Sequence, residues 1–235
     1  MDFVPASAGS ILAFRLIVAA VGGAFLWAVL RAYGRGRAAV IAVTVVWVWL
    51  GALTLLVASG KMESLPLHGL PFFFLPILFI CLAAALSPFG GRLAMNVPLA
   101  ALVGFQAFRL PLELVLHEWA VQGTIPSTMT WTGQNWDIVS GISALVAAPL
   151  VGRFPVAARI ANAVGFALLL NVMRVAIMSS PFPFAWGQQP PLLLALHYPY
   201  FLIGPVCVGG ALFGHLVLTR ALWGTGSAPL PAVDG

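Results

Sequence analysis

From Ala38 to Ala58 the chain reads AAVIAVTVVWVWLGALTLLVA, with no charged residue. A helix over such a run rises about 30 Å, the thickness of the hydrocarbon core of a bilayer. The run has no period of two, so it is not a lipid-facing barrel strand. Similar runs fill the chain. Charged residues are 7% of the total and hydrophobic residues 61%, whereas a soluble domain carries about 25% charge. The chain therefore needs lipid as its solvent, and in lipid its backbone must satisfy itself within helices. The net charge of +5 is spread between the apolar runs instead of gathered into a basic stripe. That pattern excludes a nucleic-acid partner and sets orientation instead.

The expected fold is all-α: a polytopic transmembrane helical bundle of about seven spans, near residues 10–31, 38–58, 70–88, 94–121, 137–152, 156–179 and 192–221. The fifth is short, roughly 24 Å by helix rise. If the spans alternate, Arg31, Arg35, Arg37, Arg92, Arg153, Arg159 and Arg220 share one side, and Lys61 stands in the loops of the other. The arginine-rich side is then cytoplasmic, with the amino end outside and the carboxyl end inside. Residues 1–223 read as one transmembrane domain and 224–235 as a flexible tail. In the outer loop 122–136, MTWTGQNWDI places Gly133, Gln134 and Asn135 between β-formers and suggests a short β-hairpin.

Polar residues inside apolar spans are the candidates for function. Arg109, Glu113 and His117 recur every four residues and form one helical stripe. Asn171 and Arg174 share a face late in the sixth span, Asp137 starts the fifth, and His197 opens the seventh. These seven residues are expected to share the outer half of the membrane as a polar pocket. Asp137 either caps its helix or faces Arg109 or Arg174, with Glu113 on the other arginine. Arg15 is read as snorkelling to the surface. His68 falls in the first outer loop, and His215 near the cytoplasmic end. Cys81 and Cys207 lie in apolar runs and are read as small buried hydrophobes with no part in the chemistry. No CxxC or CxxCH occurs, so no metal and no cofactor is assigned.

The order NWDIVSGISALVAAPLV, a basic turn, LLLNVMRVAIMSS and then a histidine resembles the exosortase/archaeosortase family over residues 120–215. Those are polytopic membrane transpeptidases and proteases that act on sorting signals at the outer face. The resemblance matches Ser140 and Gly141 to the family's Ser-Gly, Asn171 and Arg174 to its Asn-x-x-Arg, and His197 to its histidine. Val139 stands where the family has its cysteine, so the covalent acyl step lacks its nucleophile. The stretch FRLPLELVLH…MTWTGQNWDI also resembles bacterial inner-membrane proteins, which implies that membrane as the location.

Three functions follow as expectations. In the first, the outer pocket binds, and with a base processes, a lipid-embedded or peptide substrate, its carboxylate or phosphate held by Arg109 and Arg174. In the second, the chain is a non-catalytic subunit whose small-residue stretches contact membrane-protein partners. In the third, His117 and His197 serve as axial ligands in a haem b or quinone protein. Membrane lipid is a partner in all three.

Overall fold

Ser7 opens the first helix, α1 (Ala8–Tyr33), its hydroxyl accepting from Ser10 N at 3.3 Å. Gly34, at φ 65°, closes it, its N–H donating to the Leu30 carbonyl. A left-handed residue at this position is the usual glycine stop. A tight turn leads into α2 (Arg37–Ala58), so the two pack as an antiparallel pair. The computed structural model describes residues 3–62 and 70–224. His68 and the tail beyond Gly224 lie outside the described residues.

After α3 (Leu70–Leu86) the chain bends by 59° into α4 (Pro88–Asn96). Pro88 cannot continue the preceding helix but suits the first turn of the next, and the Ser87 hydroxyl caps that turn, accepting from Phe89 N at 3.1 Å. Arg220 donates to the carbonyls of Ala85 and Ser87 at 2.5 and 2.7 Å, satisfying backbone that the bend exposes. The next span is α5 (Leu99–Phe105), one 3₁₀ turn at Gln106–Phe108, and α6 (Arg109–Val121). Then come α7 (Ile138–Leu150), α8 (Pro155–Ser179) and α9 (Gly209–Gly224). Before α9, Tyr200–Ile203 is a 3₁₀ turn and Gly204–Val208 a π turn.

The run from Tyr200 to Gly224 is the centre of the bundle, 61% of its most apolar stretch being buried against 6% for α2. α9 packs on α3, α4, α5 and α8. α2 turns Val40, Val45, Val48 and Leu55 outward, as a helix facing lipid does. At the end of the bundle that holds the amino terminus, Trp119 is wedged between Phe14 and Tyr200, ring centroids 5.1 and 4.9 Å away. Its Nε1 donates to Ser10 Oγ at 3.1 Å, and Tyr200 Oη accepts from Ala6 N at 2.8 Å. These bonds tie the amino end to α6 and to the start of the last span.

The all-helical class is what the structure holds, with two corrections. Five helices are long and apolar enough to cross a bilayer, or six if the bent α3–α4 pair counts as one. The expected fifth span, α7, has 13 residues, too few for the roughly 20 that a crossing needs. The expected hairpin in 122–136 is also absent: among the described residues this loop holds a 3₁₀ turn at Ser127–Met129 and further turns, with no strand. Its backbone bonds are local: Gly133 N and Asn135 N both donate to Thr130 O, at 2.9 and 3.2 Å.

Both corrections have one cause. Residues 122–137 run back down into the bundle between α6 and α8. Along α6, Thr124 N bonds to Trp119 O, Asn135 to Glu113, and Asp137 to Arg109. Along α8, Thr128 meets Ser179 and Gln134 meets Asn171. A single segment coiled into local turns, with helices on both sides, has no strand to pair with. α7 thus starts inside the bundle, about 20 Å by helix rise from its own last residue. Irregular backbone needs protein partners of this kind wherever lipid would be the alternative.

Candidate functional site

Arg109 is the first residue of α6, and its side chain is 1% exposed. Its Nε donates to Asp137 Oδ2 at 2.6 Å, and Nη2 pairs with Oδ1. This is the two-pronged geometry in which a guanidinium fits a carboxylate. Nη1 donates to Ser140 Oγ at 2.7 Å and to the Gly165 carbonyl at 2.9 Å, and lies 3.0 Å from His215 Nε2. One buried cation thereby joins the starts of α6 and α7 to the middles of α8 and α9. Gly165 lies about 15 Å along α8 from its first residue, so the junction is near the middle of that helix.

The hydrogen-bond directions fix the histidine. Arginine only donates, so His215 Nε2 accepts. Nδ1 then carries the hydrogen and donates to Asn162 Oδ1 at 2.9 Å. Asn162 Nδ2 donates to Thr219 Oγ1 at 2.8 Å, and that hydroxyl donates to the His215 carbonyl at 2.8 Å. His215 is neutral in this chain of bonds, and the one formal charge on Arg109 is matched by Asp137. Low-dielectric surroundings require such matching, since an unpaired buried ion costs several kcal/mol, roughly.

Asn135, fully buried, organises the returning segment. Its Nδ2 donates to Glu113 Oε1 at 2.8 Å and to Met129 O at 3.1 Å, while its Oδ1 accepts from Asp137 N at 3.2 Å. The last contact is an Asx turn, a side chain imitating backbone two residues on. It delivers Asp137 to the end of α7 with its carboxylate turned toward Arg109. The Asp137 side chain makes no capping bond to α7, so the cap reading is replaced by the ion pair.

The structure divides the seven sequence candidates, which do not share one depth. Arg109, Glu113 and Asp137 are buried together, but Glu113 bonds to Asn135 instead of balancing an arginine. His117 is stacked on Trp131 at 4.4 Å, and His197 on Phe3 at 3.9 Å, so the two histidines sit in separate aromatic stacks. Asn171 and Arg174 form an outer group. Asn171 Oδ1 accepts from Arg174 Nη2 at 2.9 Å, its Nδ2 donates to Gln134 O at 2.8 Å, and Gln134 Oε1 lies 3.3 Å from Arg174 Nη2. The Arg174 guanidinium stands 5.5 Å from the centre of the Trp186 ring.

Sequence reading missed His215, Asn162, Thr219 and Asn135, and used Ser140 only as a motif match. His215 meets α8 at Gly165, where a Cβ would collide with the imidazole ring, and close approach of this kind is what small residues allow between packed helices. Among the described residues no three His, Cys, Asp or Glu side chains come together as a metal set.

The two groups differ in what they can do. Every nitrogen of Arg109 is engaged inside the bundle. It is a clasp between helices with little left to offer a ligand. Arg174 is exposed, is held by neutral amides, and has no carboxylate on it among the described residues. Fold and site together define a bundle of apolar helices, five of them long enough to cross a membrane, with a buried Arg–Asp–His clasp and an exposed arginine platform. No protein-family model, no curated protein and no solved structure matches the chain.

Proposed function

We propose that this is an exosortase-like protein of the bacterial inner membrane that binds the anionic end of a lipid-embedded or peptide substrate at its outer face. Arg174 is the anion-binding residue, positioned by Asn171, Gln134 and Trp186. The observation that carries this reading is a guanidinium within the last turns of α8 that is fixed by neutral acceptors and keeps its charge uncompensated among the described residues. Nη1 makes no bond there and is free for a carboxylate or phosphate oxygen. Arginine suits such oxygens because its planar fork donates in parallel. No thiolate acyl transfer belongs to this reading, since Val139 replaces the family's cysteine and Cys81 and Cys207 are buried.

Binding is read by tryptophan fluorescence of the reconstituted protein. The probes are an apolar peptide ending in a free carboxylate and a short-chain phosphatidate, each set against its uncharged counterpart, the amide and the diacylglycerol. At least one charged probe binds more tightly than its counterpart, and Arg174→Gln weakens it about tenfold or more, as hydrogen bonds to charged groups are worth ~1.5–3 kcal/mol. Equal binding of charged and uncharged forms, or an unchanged Arg174→Gln variant, overturns the reading.

The same proposal puts the amino end outside, with α7 and the returning segment 122–137 together completing one passage. On a cysteine-free background, Ser127→Cys reacts with a membrane-impermeant maleimide in intact cells. Gly152→Cys reacts only after the membrane is opened. The reverse pattern inverts the topology and removes Arg174 from the outer face.

A further inference from the structure

Between α1 and α2, at the arginine-rich end, a cavity of about 360 Å³ opens to the surface. Leu26 and Leu30 of α1 line one wall, and Ala39, Val40, Val43 and Thr44 of α2 the other, with Arg35 in the connecting turn at the mouth. Arg31 follows Leu30 and Arg37 stands two residues after Arg35 in the chain, and all three arginines are exposed. A fourth guanidinium, that of Arg92, lies 4.7 Å from the centre of the neighbouring Tyr33 ring. The described carboxylates of Glu113, Glu118 and Asp137 lie on α6 and at the start of α7, and none pairs with these arginines.

This combination selects its occupant. The walls are apolar and continue into the outward faces of Leu30, Val40 and Ile41, where only lipid chains are at hand. The mouth carries several positive charges at the level where phosphates lie. A soluble anion would satisfy the arginines but not the apolar walls. A neutral or zwitterionic lipid would fill the walls but leave the charge unmatched. A basic pocket between helices on the cytoplasmic side suits an anionic head group.

We infer that the α1–α2 groove is a binding site for one anionic phospholipid of the inner leaflet, with an acyl chain between Leu26, Leu30, Val40 and Val43 and the phosphate on Arg35. The site is separate from the Arg174 platform and stands whether or not that platform binds a substrate. It also gives α2 a role: this helix packs mainly on α1, and a lipid wedged between the two holds the pair at one spacing.

Native mass spectrometry of the detergent-purified full chain tests the site, with dioleoyl phosphatidylglycerol and dioleoyl phosphatidylcholine as probes. One phosphatidylglycerol binds at concentrations where phosphatidylcholine does not. Arg35→Gln weakens it about fivefold, the effect of one basic residue near a lipid phosphate. Val43→Trp, which fills the groove, weakens it at least as much, while Arg159→Gln, an exposed basic residue at the same membrane face on α8, leaves it unchanged. Each variant is first shown to elute and unfold like the parent. Three results overturn the site: equal binding of the two lipids, an Arg159→Gln loss as large as that of Arg35→Gln, or displacement by water-soluble glycerophosphoglycerol at lipid-like concentrations.

Discussion

Replacing Arg109 with leucine destabilises the protein by about 3–5 kcal/mol, because Asp137 is left buried without its countercharge. The same change removes the donors to Ser140 Oγ and the Gly165 carbonyl and the partner of His215 Nε2. Four elements lose their common attachment at once. Asp137→Asn alone is costly for the converse reason, since the guanidinium keeps its charge while its carboxylate becomes an amide. The double change Arg109→Leu with Asp137→Leu recovers more than half of the loss, because no uncompensated ion remains. Unfolding in mixed micelles of the parent, Arg109→Leu, Asp137→Leu and the double variant, as a double-mutant cycle, measures the coupling. A cycle with no coupling, or an Asp137→Asn variant as stable as the parent, shows that the pair is not the clasp described here. A simple helix cap would accept asparagine almost without loss.

The second large effect is steric. Gly141, in the first turn of α7, faces the backbone N and Cα of Leu110 so closely that a methyl group has no room. Main chain cannot rotate aside as a flexible side chain does. Gly141→Ala therefore pushes α7 off α6 and pulls Asp137 and Ser140 from Arg109. The expected loss is about 3 kcal/mol, the upper end for overpacking. Gly9→Ala and Gly51→Ala serve as controls, since nothing lies within 4 Å of the added carbon at either site. The same unfolding assay decides between a backbone contact that matters and one that relaxes. Equal stability of Gly141→Ala and the controls means that the helices can separate without cost.

The membrane-spanning class was determined by the sequence alone, because an apolar run long enough to cross lipid has no other stable environment. The same reasoning singled out Arg109 and Glu113 as polar groups in an apolar run that must find a partner, and left Asp137 between a helix cap and an ion pair. Arg109 was one of two arginines open to Asp137, and the choice between them was not legible, nor was the partner of Glu113. The fourfold spacing of Arg109 and Glu113 permits an ion pair within one helix, but Arg109 pairs across to Asp137 and Glu113 takes the amide of Asn135. Spacing along a helix says which side chains share a face, and says nothing of what another segment brings to that face. The depth of His215 was misjudged for a related reason. A hydropathy reading carries the last span back to residue 192, across Pro199, whereas the apolar crossing runs from Tyr200 to Gly224. Residues before proline are driven out of the helical region, so the span starts later and His215 moves toward mid-membrane. The half-length α7 and the returning segment 122–137 were beyond sequence reading altogether. Nothing local marks Thr124, Met129, Thr130, Asn135 and Asp137 as buried; they are buried because α6 and α8 supply partners on either side, at Glu113, Arg109, Asn171 and Ser179. Hydrophobicity chose the solvent and the helices, while the pairing of a few buried polar groups, which depends on distances between helices, chose how they fit together.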